Sequence, residues 1–235
     1  MKGVVHSIQS LGAVDGPGLR CVVFMQGCSL RCAYCHNPDT WSTSGQEHSV
    51  DEIFDKIMRF QPYFEKNGGV TVSGGEPLMQ WEFVAELFRR LKAAGVHTAL
   101  DTAGIGDING VRTVLHSTDL VLCDLKFSGG DDYLHYSGGN MDQVTDFLKL
   151  TETMRVPLWI RHVVVPKLTD SRSHILKIAS IAGEYSNLQR IELLPFRKLC
   201  SSKYDRMEIP FPLRDYDECP EEEIQNLYTL LKEYH

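Results

Sequence analysis

Short apolar runs alternate with amphipathic stretches along most of this chain. Cys21–Met25, Val70–Ser73, His97–Asp101, Leu120–Asp124, Leu158–Val165 and Ile191–Leu194 are nearly continuous apolar runs of four to eight residues. A strand buried on both faces reads in this way. Between them the period changes to that of a helix. Ile53, Ile57, Phe60 and Phe64 recur at i, i+4, i+7 and i+11, behind a capping box of Ser49 and Glu52. Phe83, Val84, Leu87, Phe88, Leu91 and Ala94 form a second stripe that Gly95 stops. Val144, Phe147, Leu148 and Leu150 mark a third helix, and Ile175, Ile178, Ala179 and Ala182 a fourth. A last helix is expected from about Glu221 to Glu233, entered through Pro220.

About six β-α repeats predict an α/β fold with a parallel sheet and right-handed crossovers, either doubly wound or curved into a partial barrel. In both cases the working residues belong at the carboxyl ends of the strands. Polar residues stand there: Gly74-Gly75-Glu76-Pro77, Asp101-Thr102, Asp124 with Lys126, and Pro195-Phe196-Arg197, with Arg161 inside the fifth run. No domain boundary or internal repeat interrupts residues 1–235, so a single domain is expected, with a C-terminal flap and helix over about 200–235. Cys200–Pro220 reads as irregular, and Thr43–His48 as a turn.

The net charge of −7, with Lys and Arg scattered, argues against a nucleic-acid-binding surface. No apolar run reaches the length of a membrane span. Met1–Ser7 lacks the apolar core of a signal peptide, so a cytoplasmic protein without membrane partners is expected. Seven cysteines in such a chain do not read as a disulfide framework. Cys21 and Cys123 lie inside apolar runs and are expected to be buried hydrophobes. Cys200 and Cys219 lie in a polar, proline-rich stretch that would leave their thiols exposed.

Cys28, Cys32 and Cys35 are the exception. The spacing C-x3-C-x2-C, with no fourth cysteine nearby, suits three corners of an iron–sulfur cube and leaves one iron open to a substrate. A structural zinc site would need His36 as its fourth ligand, and adjacent residues rarely reach one metal together. Cys32-Ala33-Tyr34-Cys35-His36 also matches the attachment motif of c-type haem, and Cys32 and Cys35 could form a redox dithiol. Both of these readings leave Cys28 unexplained.

Two motifs in order, the three cysteines with Tyr34 before the last and Gly74-Gly75-Glu76-Pro77 after the second apolar run, resemble the radical S-adenosylmethionine superfamily. The match narrows over most of the chain. Val14-Asp15-Gly16-Pro17-Gly18-Leu19-Arg20, Tyr34-Cys35-His36-Asn37-Pro38, Asp101-Thr102, Asp124-Leu125-Lys126, and Trp159-Ile160-Arg161 with Val163-Val164-Val165-Pro166 resemble the glycyl-radical-enzyme activases. The short Thr43–His48 segment matches the type without an inserted ferredoxin-like segment, which acts on pyruvate formate-lyase.

The resemblance implies a partial (β/α)6 TIM-like barrel with parallel strands and a cluster loop after the first. It implies that Cys28, Cys32 and Cys35 ligate a [4Fe-4S] cluster whose open iron takes S-adenosyl-L-methionine. Reductive cleavage would yield a 5′-deoxyadenosyl radical that abstracts hydrogen from a glycine of the partner enzyme. Gly74, Gly75, Glu76, Leu125 and Lys126 would serve the methionine end, with Lys126 on its carboxylate. Tyr34, Cys35 and His36 would line the adenine side, with Arg161 among the cofactor-binding residues. Asp101, Thr102 and Asp124 would hold a monovalent cation, since oxygen ligands suit a hard ion. Asp15, Gly16 and Arg20 would meet the partner, and a flavodoxin-type protein would deliver the electron to a monomeric enzyme. Arg197 stands where the family commonly carries a ribose-contacting histidine; it still donates hydrogen bonds, with a different length and a fixed charge. Ala103 replaces the usual Asn or Ser.

Plainer readings accompany these. Gly74-Gly75 is also a strand-to-helix turn, Asp101 and Asp124 are also helix caps, and Lys126 a solvated lysine. The alternatives for the whole chain are an activase of another glycyl radical enzyme, a radical enzyme acting on a small molecule, or a non-catalytic iron–sulfur electron carrier.

Overall fold

A computed structural model describes residues 1–234. The chain opens with β1 (Lys2–Gly12) and β2 (Arg20–Met25), then β3 (Glu47–Ser49), α1 (Val50–Met58), β4 (Gly69–Gly74), α2 (Trp81–Ala93), β5 (His97–Thr102), α3 (Ile108–Leu115) and β6 (Leu120–Asp124). The second half continues through α4 (Gly130–Ser137), α5 (Met141–Thr153), β7 (Leu158–Val164), α6 (Arg172–Gly183), β8 (Leu188–Pro195), α7 (Ser201–Arg206) and α8 (Glu221–Tyr234).

The strands form one sheet in the order β3-β1-β2-β4-β5-β6-β7-β8. From β2 to β8 each neighbouring pair is parallel, which is the expected half-barrel. It is extended at one edge by an antiparallel pair that apolar runs do not announce. β1 pairs with β2, with Val5 opposite Met25, and β3 adds three residues beyond it. β1 escapes the pattern because it lies near the edge and only three of its residues are buried, so it carries no continuous apolar run. The expected turn at Thr43–His48 ends in β3 for the same reason.

The expected helices form at their stripes, except that α1 ends at Met58 and leaves Phe60 and Phe64, the last members of its stripe, flanking a separate 3-10 turn at Gln61–Tyr63 that contains Pro62. Ser49 Oγ accepts from the Glu52 N–H at 3.2 Å while Glu52 Oε2 accepts from the Ser49 N–H at 2.7 Å, which closes the capping box of α1. Ile53 and Ile57 on α1, and Phe83, Leu87 and Leu91 on α2, are wholly or almost wholly buried. Cys21 and Cys123 are inaccessible, as their apolar surroundings predict.

Cys200–Pro220 differs from its expectation. It contains α7, and Phe196, Tyr204, Phe211 and Leu213 gather into an apolar cluster beside the barrel. Cys200 and Cys219 are carried inside with them and are not exposed thiols. The apolar residues are too widely spaced here to show a period, and only their packing brings them together. Among the described residues no helix is long and apolar enough to cross a membrane.

Candidate active site

Polar groups at the strand ends converge on one cavity of about 300 Å³. Its walls are the cysteine loop after β2, the glycine turn after β4, the ends of β5 and β6, Arg161 on β7 and Pro195 on β8. A cavity this size, lined by apolar walls and a few convergent charges, suits a small ligand.

The cysteine loop is tied down mainly through its backbone. The N–H groups of Gly27 and Cys28 donate to Thr40 O (2.8 Å) and Trp41 O (3.4 Å), and those of Arg31 and Ala33 donate to carbonyls of Ser137 and Tyr136, at the end of α4. Cys28, Cys32 and Cys35 all line the cavity and none is in a disulfide. Burial pushes the Cys28 thiol up to about 11 and that of Cys35 to about 12, and raises Cys32 as well. Thiols so placed are poor nucleophiles. A metal displaces their protons, and three soft sulfurs on one loop are a donor set for an iron–sulfur cluster.

Gly74 and Gly75 line the cavity beside this loop. Their lack of side chains is required by the protein itself. Gly74 has φ +111°, and a Cβ there would sit 2.3 Å from Met25 N; at Gly75 it would sit 2.2 Å from Gly27 O. The pair lets β4 and the cysteine loop approach backbone to backbone. Glu76 is almost wholly buried, and its carboxylate accepts from Thr102 Oγ1 at 2.6 Å, Ala103 N at 2.9 Å and Leu78 N at 3.1 Å. Burial pushes it up to about 7 in spite of these donors. Glu76 therefore ties the end of β4 to that of β5, and it reaches a ligand only as part of the wall. Ala103 contributes its backbone N–H to this tie, so the missing Asn or Ser side chain does not break it.

Four charges form the floor. Lys126 Nζ donates to Asp124 Oδ2 at 3.1 Å, and Arg161 Nη1 stands 3.1 Å from Asp101 Oδ1. Burial opposes the charge on Lys126 but is outweighed by Asp124, Cys32 and Tyr34, so its pKa stays well above the usual lysine value. Burial likewise opposes the charge on Asp124, but Lys126 and Arg161 hold its pKa below the ordinary range. Asp101 Oδ1 and Arg161 Nε are buried without hydrogen-bond partners. Both are still paired by charge, Asp101 Oδ1 with Arg161 Nη1 and Arg161 Nε with Glu192 Oε2 at 3.7 Å, so this half of the floor is neutralised within the protein. Lys126 has N–H groups beyond the one used on Asp124, fit for a carboxylate. Tyr34 packs its ring against Phe127, and its hydroxyl reaches Lys126 O at 3.4 Å.

The oxygen cluster is less open than its sequence reads. Thr102 Oγ1 is engaged by Glu76, and Asp101 Oδ2 accepts from Ser73 at 2.6 Å. Among the described residues no three His, Cys, Asp or Glu side chains close on a single ion. Three thiols holding separate corners of a cube need not do so.

Several expected residues stand elsewhere. Arg20 is fully buried: its guanidinium donates to Thr71 Oγ1, Pro17 O and Val70 O at 2.6, 3.0 and 2.6 Å. It braces the Asp15–Gly18 loop from behind and offers nothing to a partner. Asp15 does line the cavity, and Gly16 lies half-buried beside it, over the Arg20 side chain. Arg197 turns away from the cavity, donating to Cys219 O and standing 3.6 Å from Glu221; only its carbonyl meets His36 Nε2, at 2.8 Å. Leu125 is buried and serves through its backbone, accepting from His162 Nδ1 at 2.8 Å. Ser73, Asn37, Thr40 and Trp41 line the cavity without having been expected. Ser73, next to Gly74 at a strand end, was the only one of these that position alone could have found.

Comparison with known proteins agrees with this geometry. A model described as the 4Fe-4S single cluster domain matches residues 14–128. The structure of Streptococcus suis SuiB bound to S-adenosylmethionine superposes with a TM-score of 0.65 at 14% identity, over 88% of this chain and 45% of that one, a likeness of fold alone. The pyruvate formate-lyase-activating enzyme of Staphylococcus epidermidis is 40% identical over 97% of this chain and 94% of its own length. That of Clostridium pasteurianum is 47% identical over 99% of this chain and 98% of its own. At such identity from end to end, this chain belongs to the family of pyruvate formate-lyase-activating enzymes.

Proposed function

We propose that this protein activates pyruvate formate-lyase. The observation that carries the reading is the meeting, in one cavity, of three free cysteines with the Asp124–Lys126 pair at the end of β6. When bound there, the cluster and S-adenosylmethionine together supply a 5′-deoxyadenosyl radical that takes a hydrogen atom from a glycine of the partner. Cys28, Cys32 and Cys35 hold the cluster. Lys126 receives the carboxylate of S-adenosylmethionine, and Asp101 and Arg161 line the cavity beside it. Tyr34 and His36 stand on the adenine side. Asp124 and Asp101, with Thr102 if it releases Glu76, hold a monovalent cation.

Asp15, at the cavity rim on a loop held rigid by Arg20, meets the partner's glycine loop. The side chain of Arg197 points away from the cavity, so this departure from the common family pattern does not reach the cofactor. We read residues 1–235 as one domain that works as a cytoplasmic monomer and takes its electron from a flavodoxin-type donor.

The test is anaerobic reconstitution followed by reduction and addition of S-adenosylmethionine with purified pyruvate formate-lyase. A glycyl radical signal in electron paramagnetic resonance, with 5′-deoxyadenosine formed, is expected. Cleavage without that signal would reassign the partner, and no binding of S-adenosylmethionine would leave only an electron carrier.

A further inference from the structure

The cysteine loop is braced from a part of the chain with no place in the motifs. Cys28 and its neighbours are tied to the cavity wall and to α4. Beyond Cys35 the chain turns sharply through Asn37–Thr40, which is bonded within itself and to the residues before the cysteines, Gln26 Nε2 donating to Asp39 O at 3.0 Å and the Gly27 N–H to Thr40 O at 2.8 Å. What fixes this turn from the C-terminal side is α7. Tyr204 OH donates to the Cys35 carbonyl at 3.2 Å, and Lys203 Nζ donates at 2.9 Å to both Asn37 Oδ1 and Asp39 Oδ1. Tyr204 is fully buried, with its ring edge-on to Trp41 (centroids 6.0 Å apart) and tilted against Phe211 at 4.7 Å. Asp39 is held on its other oxygen by His6 Nε2 at 3.3 Å, so the turn is clamped between β1 and α7.

We propose that Lys203 and Tyr204 are positioning residues for the third cysteine. From the C-terminal flap they hold the Cys35–Asp39 turn closed, and so govern how firmly the cluster is retained. The physical reason is geometric. A lysine with a single acceptor swivels freely, whereas one spanning an amide and a carboxylate fixes both. The buried hydroxyl of Tyr204 has its partner in the carbonyl of a cluster ligand, so losing it frees that peptide to rotate.

The proposal rests on the cluster reading above. Its test measures loss of iron to a chelator from anaerobically reconstituted protein, followed by the decay of cluster absorbance. Lys203→Met is expected to speed loss about tenfold, and Tyr204→Phe, which keeps the packed ring, about fivefold, as one charged and one neutral hydrogen bond imply. Lys203→Arg, which can still bridge both acceptors, should stay near the native rate. Lys92→Met, which breaks a remote surface ion pair with Asp119, controls for general loosening and should also stay native. Native rates in Lys203→Met and Tyr204→Phe would overturn the proposal, as would equal acceleration in Lys92→Met. A native protein that takes up no iron and sulfide would remove the cluster reading and this proposal together.

Discussion

Glu76 and Thr102 lie 26 residues apart and share a hydrogen bond of 2.6 Å that joins the ends of β4 and β5 inside the cavity wall. The acid of the Gly-Gly-Glu-Pro run is thus a tie between strands. Glu76→Gln keeps the shape but replaces one acceptor oxygen by a donor that faces existing donors. A loss of about 1–3 kcal/mol is expected, read from urea unfolding of the protein without cofactors. An unchanged midpoint would show that the tie carries no stability.

Lys126→Met removes the cavity's one lysine cation and leaves the three cysteines untouched. Cluster content should remain native while the concentration of S-adenosylmethionine needed for half-maximal cleavage rises about 10- to 100-fold, the worth of a charged hydrogen bond. Loss of the cluster itself in this variant would place Lys126 in folding instead of binding.

Cys35→Ala leaves two sulfurs on the loop. The brown chromophore and cleavage of S-adenosylmethionine should both disappear, while far-ultraviolet circular dichroism keeps its native shape. Retained activity would sink the assignment of Cys35 as a ligand.

Arg20→Met should act on stability first. The wholly buried guanidinium donates to four oxygens, those of Thr71 Oγ1, Pro17 O, Val70 O and His97 O, and the variant removes all of these bonds. A drop of about 3 kcal/mol in unfolding free energy is expected. Native stability with weakened partner binding would restore Arg20 to the interface.

His162 sets a pH dependence. It is buried on β7, and burial lowers its pKa to about 4 from 6.5. The unfolded chain therefore binds this proton more readily than the folded one. The stability present above pH 6.5 is lost as pH falls towards 4, by up to about 3 kcal/mol. His162→Asn, whose amide can replace the bond from Nδ1 to Leu125 O, should flatten the melting temperature over that window. A slope equal to the native one would assign the effect to other groups.

Much of this molecule was legible in its sequence because the central strands are buried on both faces. Leu120–Asp124 reads as a strand and is one to the residue. Strand β1, next to the edge, was not legible, since its half-exposed residues alternate without a continuous apolar run. The three cysteines and the strand-end charges were legible because the chemistry demands those residue types at fixed spacing. Which side chains face the cavity was not. Arg20 and Arg197 are chemically as suited to a ligand as Arg161, and neighbouring carbonyls decide otherwise.

The division has a physical cause. Spacing and period act over a few residues, so the sequence by itself determined the parallel half-barrel, the cluster loop and the motifs at the strand mouths. Side-chain direction depends on partners brought near by folding, as Glu76 meets Thr102 and Tyr204 meets the Cys35 carbonyl. Tertiary structure alone decided that the glycines admit neighbouring backbone, that Arg20 is a brace, and that a C-terminal lysine and tyrosine reach the turn after the last cysteine.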